Sequence, residues 1–166
     1  MPVAMFRIDQ KLIHGQVISG WAPYLRLNEI VVADEPTTHS SLLMSIAASG
    51  VPGNIGTTFV SPGGLPETLE ERNLGGPRTL VIFKDVAGAF EALDSGLKID
   101  RLNLGHFAHM PGTRCVKISA SFTALENELA LLTEMAARGV EIYAQILPGD
   151  PAQIVRPASI RWPWSS

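Results

Sequence analysis

A single cysteine, Cys115, in 166 residues leaves no partner for an internal disulfide and no thiolate cluster for a metal, and it suits a reducing compartment. Basic residues are also few: 13 Lys and Arg against 16 Asp and Glu give a formal net charge of −3. A nucleic-acid surface needs a basic patch or stripe, so that class of partner is disfavoured. No apolar run approaches the roughly 20 residues that cross a bilayer. The first residues lack the charged region and apolar core of a secretory signal. The chain therefore reads as soluble and cytoplasmic, and not itself membrane-spanning. Two further absences narrow the chemistry. The glycines of Ser61-Pro-Gly-Gly64 and Gly75-Gly-Pro77 match neither a Walker loop nor a dinucleotide fingerprint and read as turns. A Gly-x-Ser-x-Gly nucleophile elbow is missing as well.

What is present is a globular composition, 46% apolar and 17% charged, long enough for one domain with a full core. Apolar runs at 3–8, 30–33, 57–60, 79–83, 99–104, 115–118 and 140–146 read as strands. Between them apolar residues recur at helical spacing. Val17, Ile18 and Trp21 give a first helix whose end Pro23 obscures. Thr37, Thr38 and Ser40 are candidate caps for a second, with Leu42, Leu43 and Ile46 as its inner stripe. Residues 65–74 form a weaker candidate. Asp85 can cap a helix carrying Ala89, Phe90 and Leu93. The clearest stripe is Leu125, Leu129, Leu132 and Met135, with Ser119 or Ser121 as cap and Gly139 at the C′ position. Alternating strands and helices imply parallel β-α units joined by right-handed crossovers. Residues 148–166, with four prolines and two tryptophans but no periodicity, read as irregular, packing on the body or on a neighbouring subunit.

The stretch Met5-Phe-Arg-Ile-Asp-Gln-Lys-Leu-Ile-His-Gly-Gln-Val-Ile-Ser-Gly-Trp21 organises the rest. A strand empties into a short polar loop at a helix start, where parallel sheets bind their ligands. Unpaired N–H groups at a helix start favour an anion there. Arg7 and Lys11 add positive charge, and Gly15 lets another molecule approach His14 closely. An imidazole of ordinary pKa is a mostly neutral nucleophile near pH 7. These residues point to a phosphate site in which His14 itself can carry the phosphoryl group. The plainer alternative is a satisfied surface histidine. Asp9 either orients His14 or is simply a turn residue. His106 and His109 have a spacing that invites a metal, yet no third ligand lies beside them in sequence. A contribution of His106 to the phosphate pocket is the better expectation. His39 reads as a polar residue of a helix's first turn, and Cys115 as a buried, inert thiol within a strand.

Residues Arg7-Ile-Asp-Gln-Lys-Leu-Ile-His-Gly-Gln-Val17 closely resemble the signature of the IIB phosphocarriers of the bacterial phosphotransferase system (PTS), in its mannose–fructose–sorbose branch. The pattern there is Arg-Ile-Asp, one variable residue, then Arg-Leu-Ile-His-Gly-Gln-Val. The resemblance continues through residues 30–34, Val81-Ile-Phe-Lys-Asp85, Leu102-Asn-Leu-Gly105 and Arg138-Gly-Val-Glu-Ile142. It implies an α/β fold, a single domain with an open, mostly parallel twisted sheet of about six to seven strands and helices on both faces. Residues 1–156 would form that IIB domain and 157–166 a Pro- and Trp-containing tail. Two departures stand out: Lys11 replaces an arginine, and His106 replaces glycine or another small residue. Lysine keeps the charge but loses the bidentate fork.

The resemblance also implies a function, that of a protein-phosphohistidine–sugar phosphotransferase. His14 accepts a phosphoryl group, through Nδ1, from a IIA phosphohistidine. It then passes the group to a sugar held by membrane IIC/IID components. Arg7, Lys11, Gly15 and Gln16 would hold the transferred group, supported by Asp9, Asp34, Lys84, Gly105 and His106. The transfer requires no metal, nucleotide or other cofactor, and a homodimer is favoured. The alternative is a regulatory module of the same fold in which phosphorylation of His14 is a switch. An unrelated hydrolase or transferase using His14 as general base would need a nucleophile or cofactor motif elsewhere. A structural subunit would leave the charged loop without purpose.

Overall fold

The computed structural model describes residues 3–164. Strands β1 (Met5–Ile8), β2 (Glu29–Ala33) and β4 (Thr79–Phe83) are buried along nearly their whole length. Central parallel strands have no wet face, which is why these segments are continuous apolar runs. With β3 (Gly56–Val60), β5 (Arg101–Leu104), β8 (Glu141–Ala144) and β9 (Gln153–Val155) they form a seven-stranded sheet, ordered β3-β2-β4-β1-β5-β8-β9. Only the β8–β9 pairing is antiparallel.

Successive side chains of a strand face opposite ways, so β1 feeds two cores. Phe6 and Ile8 lie beneath α4 (Leu65–Glu71), α5 (Val86–Asp94) and α6 (Glu126–Ala137), against residues such as Leu65, Ala89 and Leu132. Met5 lies on the other face beneath Val17, Trp21 and Ala22. Val17 and Trp21 belong to a π-helical stretch, Gln16–Trp21, that runs into α1 (Ala22–Leu25), where Ala22 lies. Ala22 keeps α geometry, at φ −58° and ψ −49°, although Pro23 follows.

Several expectations need correction. The helix α3 (Ser41–Ala48) forms, capped by Ser40, but Leu42, Leu43 and Ile46 are 69%, 42% and 61% exposed. It connects β2 to β3, and β3 is the sheet's edge, so no further strand lies under its outer face. The run at 115–118 is not in the main sheet: β6 (Val116–Ser119) pairs antiparallel with β7 (Phe122–Ala124) as a separate hairpin. The hairpin takes up Ser119 and Ser121, so α6 is capped instead at Leu125, whose N–H donates to Glu128 Oε1 at 2.8 Å. Cys115 precedes β6 and is partly exposed. Residues 148–166 are not irregular throughout. They supply β9 and a 3-10 turn, Pro157–Ser159. Trp164 Nε1 donates to the Cys115 carbonyl at 3.1 Å, with the Arg114 guanidinium 5.6 Å from its ring centroid. A three-residue strand has too little periodicity to read, since its hydrogen bonds come from β8. No helix among the described residues is long and apolar enough to cross a membrane.

Candidate functional site

The chain leaves β1 toward β2 and leaves β5 toward β8, on opposite sides of the sheet. Adjacent parallel strands whose connections part in this way open a crevice at their carboxyl ends. Asp9 and Gly105, each one residue past its strand, stand at the two lips. The loop after β1 then turns sharply at Leu12, whose φ of +56° is a left-handed conformation costing about 1–2 kcal/mol for a leucine. Burial of that side chain in the core with Val17 and Trp21 offsets the cost. The turn carries His14 back over the strand end, where its Nε2 lies 2.8 Å from Asp9 Oδ2.

That contact decides the state of the ring. Asp9 is fully buried and also accepts from Arg7 Nε at 3.1 Å, Arg7 Nη2 at 2.9 Å and, through Oδ1, the Lys11 N–H at 3.0 Å. Burial alone would raise the Asp9 pKa, but the His14 hydrogen bond and the Arg7 charge outweigh it and hold the carboxyl below its usual value. An ionised carboxylate has no proton to give, so Nε2 carries the hydrogen, and in the neutral ring Nδ1 has the lone pair. Asp9 thereby orients the ring through Nε2. The His14 side chain is 18% exposed, and a Cβ on neighbouring Gly15 would meet nothing within 4 Å.

Arg7 differs from expectation. It is fully buried near the Trp21 ring (5.8 Å to the centroid) and every guanidinium nitrogen donates within the protein. Besides Asp9, its Nη1 reaches Asn103 Oδ1 at 2.5 Å and the Gln145 carbonyl at 3.0 Å. Burial lowers its pKa, opposed by the Asp9 charge, and guanidinium stays protonated in any case. Arg7 thus sits behind Asp9 and not on the open side of His14.

The linkage has a consequence for acid stability. A depressed carboxyl contributes stability in full above about pH 4, the ordinary carboxylate value, and loses it as pH falls through the lower native value. Thermal unfolding midpoints of the wild type should therefore drop more steeply below about pH 4 than those of Asp9→Asn. Parallel curves would contradict a paired Asp9.

The remaining sequence candidates lie on the same rim with different partners. Lys11 is exposed, and Gly15 and Gln16 open the helical segment. Asp34 follows β2 and caps α2 (Glu35–Thr38), accepting from Thr37 N at 3.2 Å and Thr37 Oγ1 at 2.6 Å. Lys84, just past β4, is exposed. His106 contributes its carbonyl, which accepts the Gln10 N–H at 2.7 Å. The sequence reading found no carboxylate beside His109. In space Glu128 Oε1 lies 2.8 Å from its Nε2, and Thr123 Oγ1 lies 2.9 Å from its Nδ1. Among the described residues no group of three or more His, Cys, Asp or Glu could hold a metal. Asn103 and Gln145 were missed as site residues. The available signal was a polar Asn103 between Leu102 and Leu104 in an otherwise buried strand.

A family model described as the PTS system sorbose subfamily IIB component matches residues 3–158. The chain belongs to that family. The IIB chain is 25% identical over 155 residues to the PTS system mannose-specific EIIAB component of Escherichia coli (strain K12), covering 91% of itself and 46% of that protein. It thus spans about half the length of that relative. It is 21% identical to the PTS system fructose-specific EIIB component of Bacillus subtilis (strain 168), covering 92% and 93% of the two chains. The solved IIBSor domain of the sorbose permease from Klebsiella pneumoniae superposes with a TM-score of 0.80 at 20% identity, over 92% of each chain. At that identity the superposition speaks for the IIB fold alone.

Proposed function

We propose that this IIB chain is a cytoplasmic phosphocarrier: His14 accepts a phosphoryl group from a IIA phosphohistidine and donates it to a sugar held by membrane IIC/IID components. The observation that carries this reading is the 2.8 Å contact between Asp9 and Nε2 of a partly exposed His14. The Nδ1 lone pair attacks the phosphorus of the donor, the donor's P–N bond breaks, and its electron pair stays on the departing imidazole. As the N–P bond forms at Nδ1, positive charge develops on the His14 ring while Nε2 keeps its hydrogen. Asp9 faces that charge and stabilises it. Arg7 balances the buried carboxylate from behind, so its role runs through Asp9.

Positioning and charge neutralisation supply most of the acceleration in phosphoryl transfer. Lys11, on the exposed loop, and the amides near Gly15 and Gln16 are the groups offered to the transferred oxygens. Asp34, Lys84, Gly105 and His106 shape the rim. Lys11→Ala should slow single-turnover transfer about 10–100-fold, from the loss of roughly 1.5–3 kcal/mol of charge-assisted bonding. Unchanged rates would remove Lys11 from the site.

Transport and purely regulatory use diverge at the second transfer. With matched IIA and membrane IIC/IID, the phosphorylated chain should yield sugar phosphate. A chain that is labelled yet never yields sugar phosphate would support a phosphorylation-switched module.

A further inference from the structure

Behind the reacting histidine runs a buried chain of polar groups, Asn103–Arg7–Asp9–His14, with links of 2.5, 2.9 and 2.8 Å. Only His14 at its outer end meets solvent; Asn103, Arg7 and Asp9 are fully buried. We infer that Asn103 is a positioning residue for His14, setting the tautomer of the ring through Arg7 and Asp9; for its effect on phosphoryl transfer, this rests on the carrier reading of His14.

The geometry gives Asn103 a two-sided role. Its Oδ1 accepts from Arg7 Nη1, and its Nδ2 donates to the Gln145 carbonyl at 3.1 Å, the same carbonyl that accepts from Nη1. A side-chain amide is the group that can do both while adding no charge. An aspartate there would compete with Asp9 for the guanidinium, and a leucine would leave Nη1 without its side-chain acceptor. Either change turns the planar fork of Arg7, whose Nε and Nη2 both grip Asp9 Oδ2. Asp9 Oδ2 is also the atom that holds His14 Nε2, so a shift of the fork reaches the ring.

Gly105, two residues on along the same lip, guards the arrangement from the other side. A Cβ there would lie 2.5 Å from Arg7 Cζ and Nη2 and 2.7 Å from Nε. A flexible arginine would swing away at little cost, but this one is held by Asp9, Asn103 and Gln145. Gly105→Ala therefore displaces the same guanidinium as Asn103→Leu without removing a hydrogen-bonding group. Two unlike substitutions with one shared consequence separate positioning from general packing.

The test is nitrogen NMR of the histidine rings of the full, unphosphorylated chain near pH 8, where imidazoles are ordinarily neutral. Wild type should show His14 with its hydrogen on Nε2. Asn103→Leu and Gly105→Ala should each populate the Nδ1–H form and slow phosphoryl acceptance about 10–100-fold, the usual scale for an outer partner that orients a ligand. Leu132→Ala, a core change away from this chain of groups, should lower stability and leave the tautomer alone. Should Asn103→Leu fail to fold, Gly105→Ala decides alone. A wild-type tautomer ratio in the folded variants overturns the inference. Failure of wild type to become phosphorylated would instead defeat the carrier reading, while the tautomer comparison still decides the role of Asn103.

Discussion

Replacing His14 with alanine is expected to abolish phosphoryl acceptance while leaving the fold intact. The side chain is partly exposed at a sheet rim and, among the described residues, makes one hydrogen bond, to Asp9, so few core contacts are lost. Removing the nucleophile leaves the surrounding cations and amides with nothing to position. Incubation with a phosphorylated IIA should give a residual label at least about a thousandfold below wild type, a barrier increase of some 4 kcal/mol or more. His39, His106 and His109 remain in that variant as internal controls. His109 in particular is held by Glu128 and Thr123, so label appearing there would be conspicuous. Unchanged labelling of His14→Ala would place the phosphoryl group elsewhere.

Asp9→Asn should have the next largest effect, and by a different route. Arg7 and His14 both bond Asp9 Oδ2, while the Lys11 N–H bonds Oδ1, so an amide cannot satisfy all three. With its oxygen toward Arg7 and His14, its NH2 opposes the Lys11 N–H and the ring loses the full negative charge beside it. With its NH2 toward Arg7 and His14, two donors meet at Arg7 and Nε2 can remain bonded only by accepting, so the ring proton moves to Nδ1 and the nitrogen that should attack no longer has a lone pair. The same wrong-tautomer logic in the serine protease triad costs about 10⁴-fold, and a loss of roughly 10²–10⁴-fold is expected here. The variant also strips a buried guanidinium of its counter-charge, which costs on the order of 3–5 kcal/mol in stability. Circular dichroism melts and single-turnover labelling separate the two consequences. Asp9→Asn should be folded but less stable, and slow even at temperatures well below its melt. Full activity in a destabilised protein would reduce Asp9 to a structural partner of Arg7.

How much was legible in the sequence follows the range of the interactions. The central strands could be read because burial on both faces leaves a continuous apolar run, and α6 because its stripe and Gly139, at φ +96°, mark its face and its end. The candidate histidine was also visible, since strand, polar loop and helix start lie within one short stretch. The buried groups behind it were not. Asn103 and Gln145 are 96 and 138 positions from Arg7, and only the parallel pairing of β1 with β5 and of β5 with β8 brings them together. The placement of Arg7 illustrates the same limit: a charge close to His14 in sequence is fully buried in space, with Asp9 between the two side chains. The exposed stripe of α3 failed for a further reason. Periodicity shows that a helix has an apolar face, but the position of its strand at the sheet's edge decides what that face meets. Likewise the pairing of His109 with Glu128 depends on the hairpin folding back against α6.

The central claim is that one nitrogen of one ring takes the phosphoryl group. It is tested most directly by combined phosphorus and nitrogen NMR on the chain after phosphorylation by a matched IIA. The expected spectrum has a single acid-labile, base-stable phosphoramidate bonded to Nδ1 of His14, with Nε2 still protonated toward Asp9. A phosphoryl group on Nε2 of His14, or on any other residue, would contradict it.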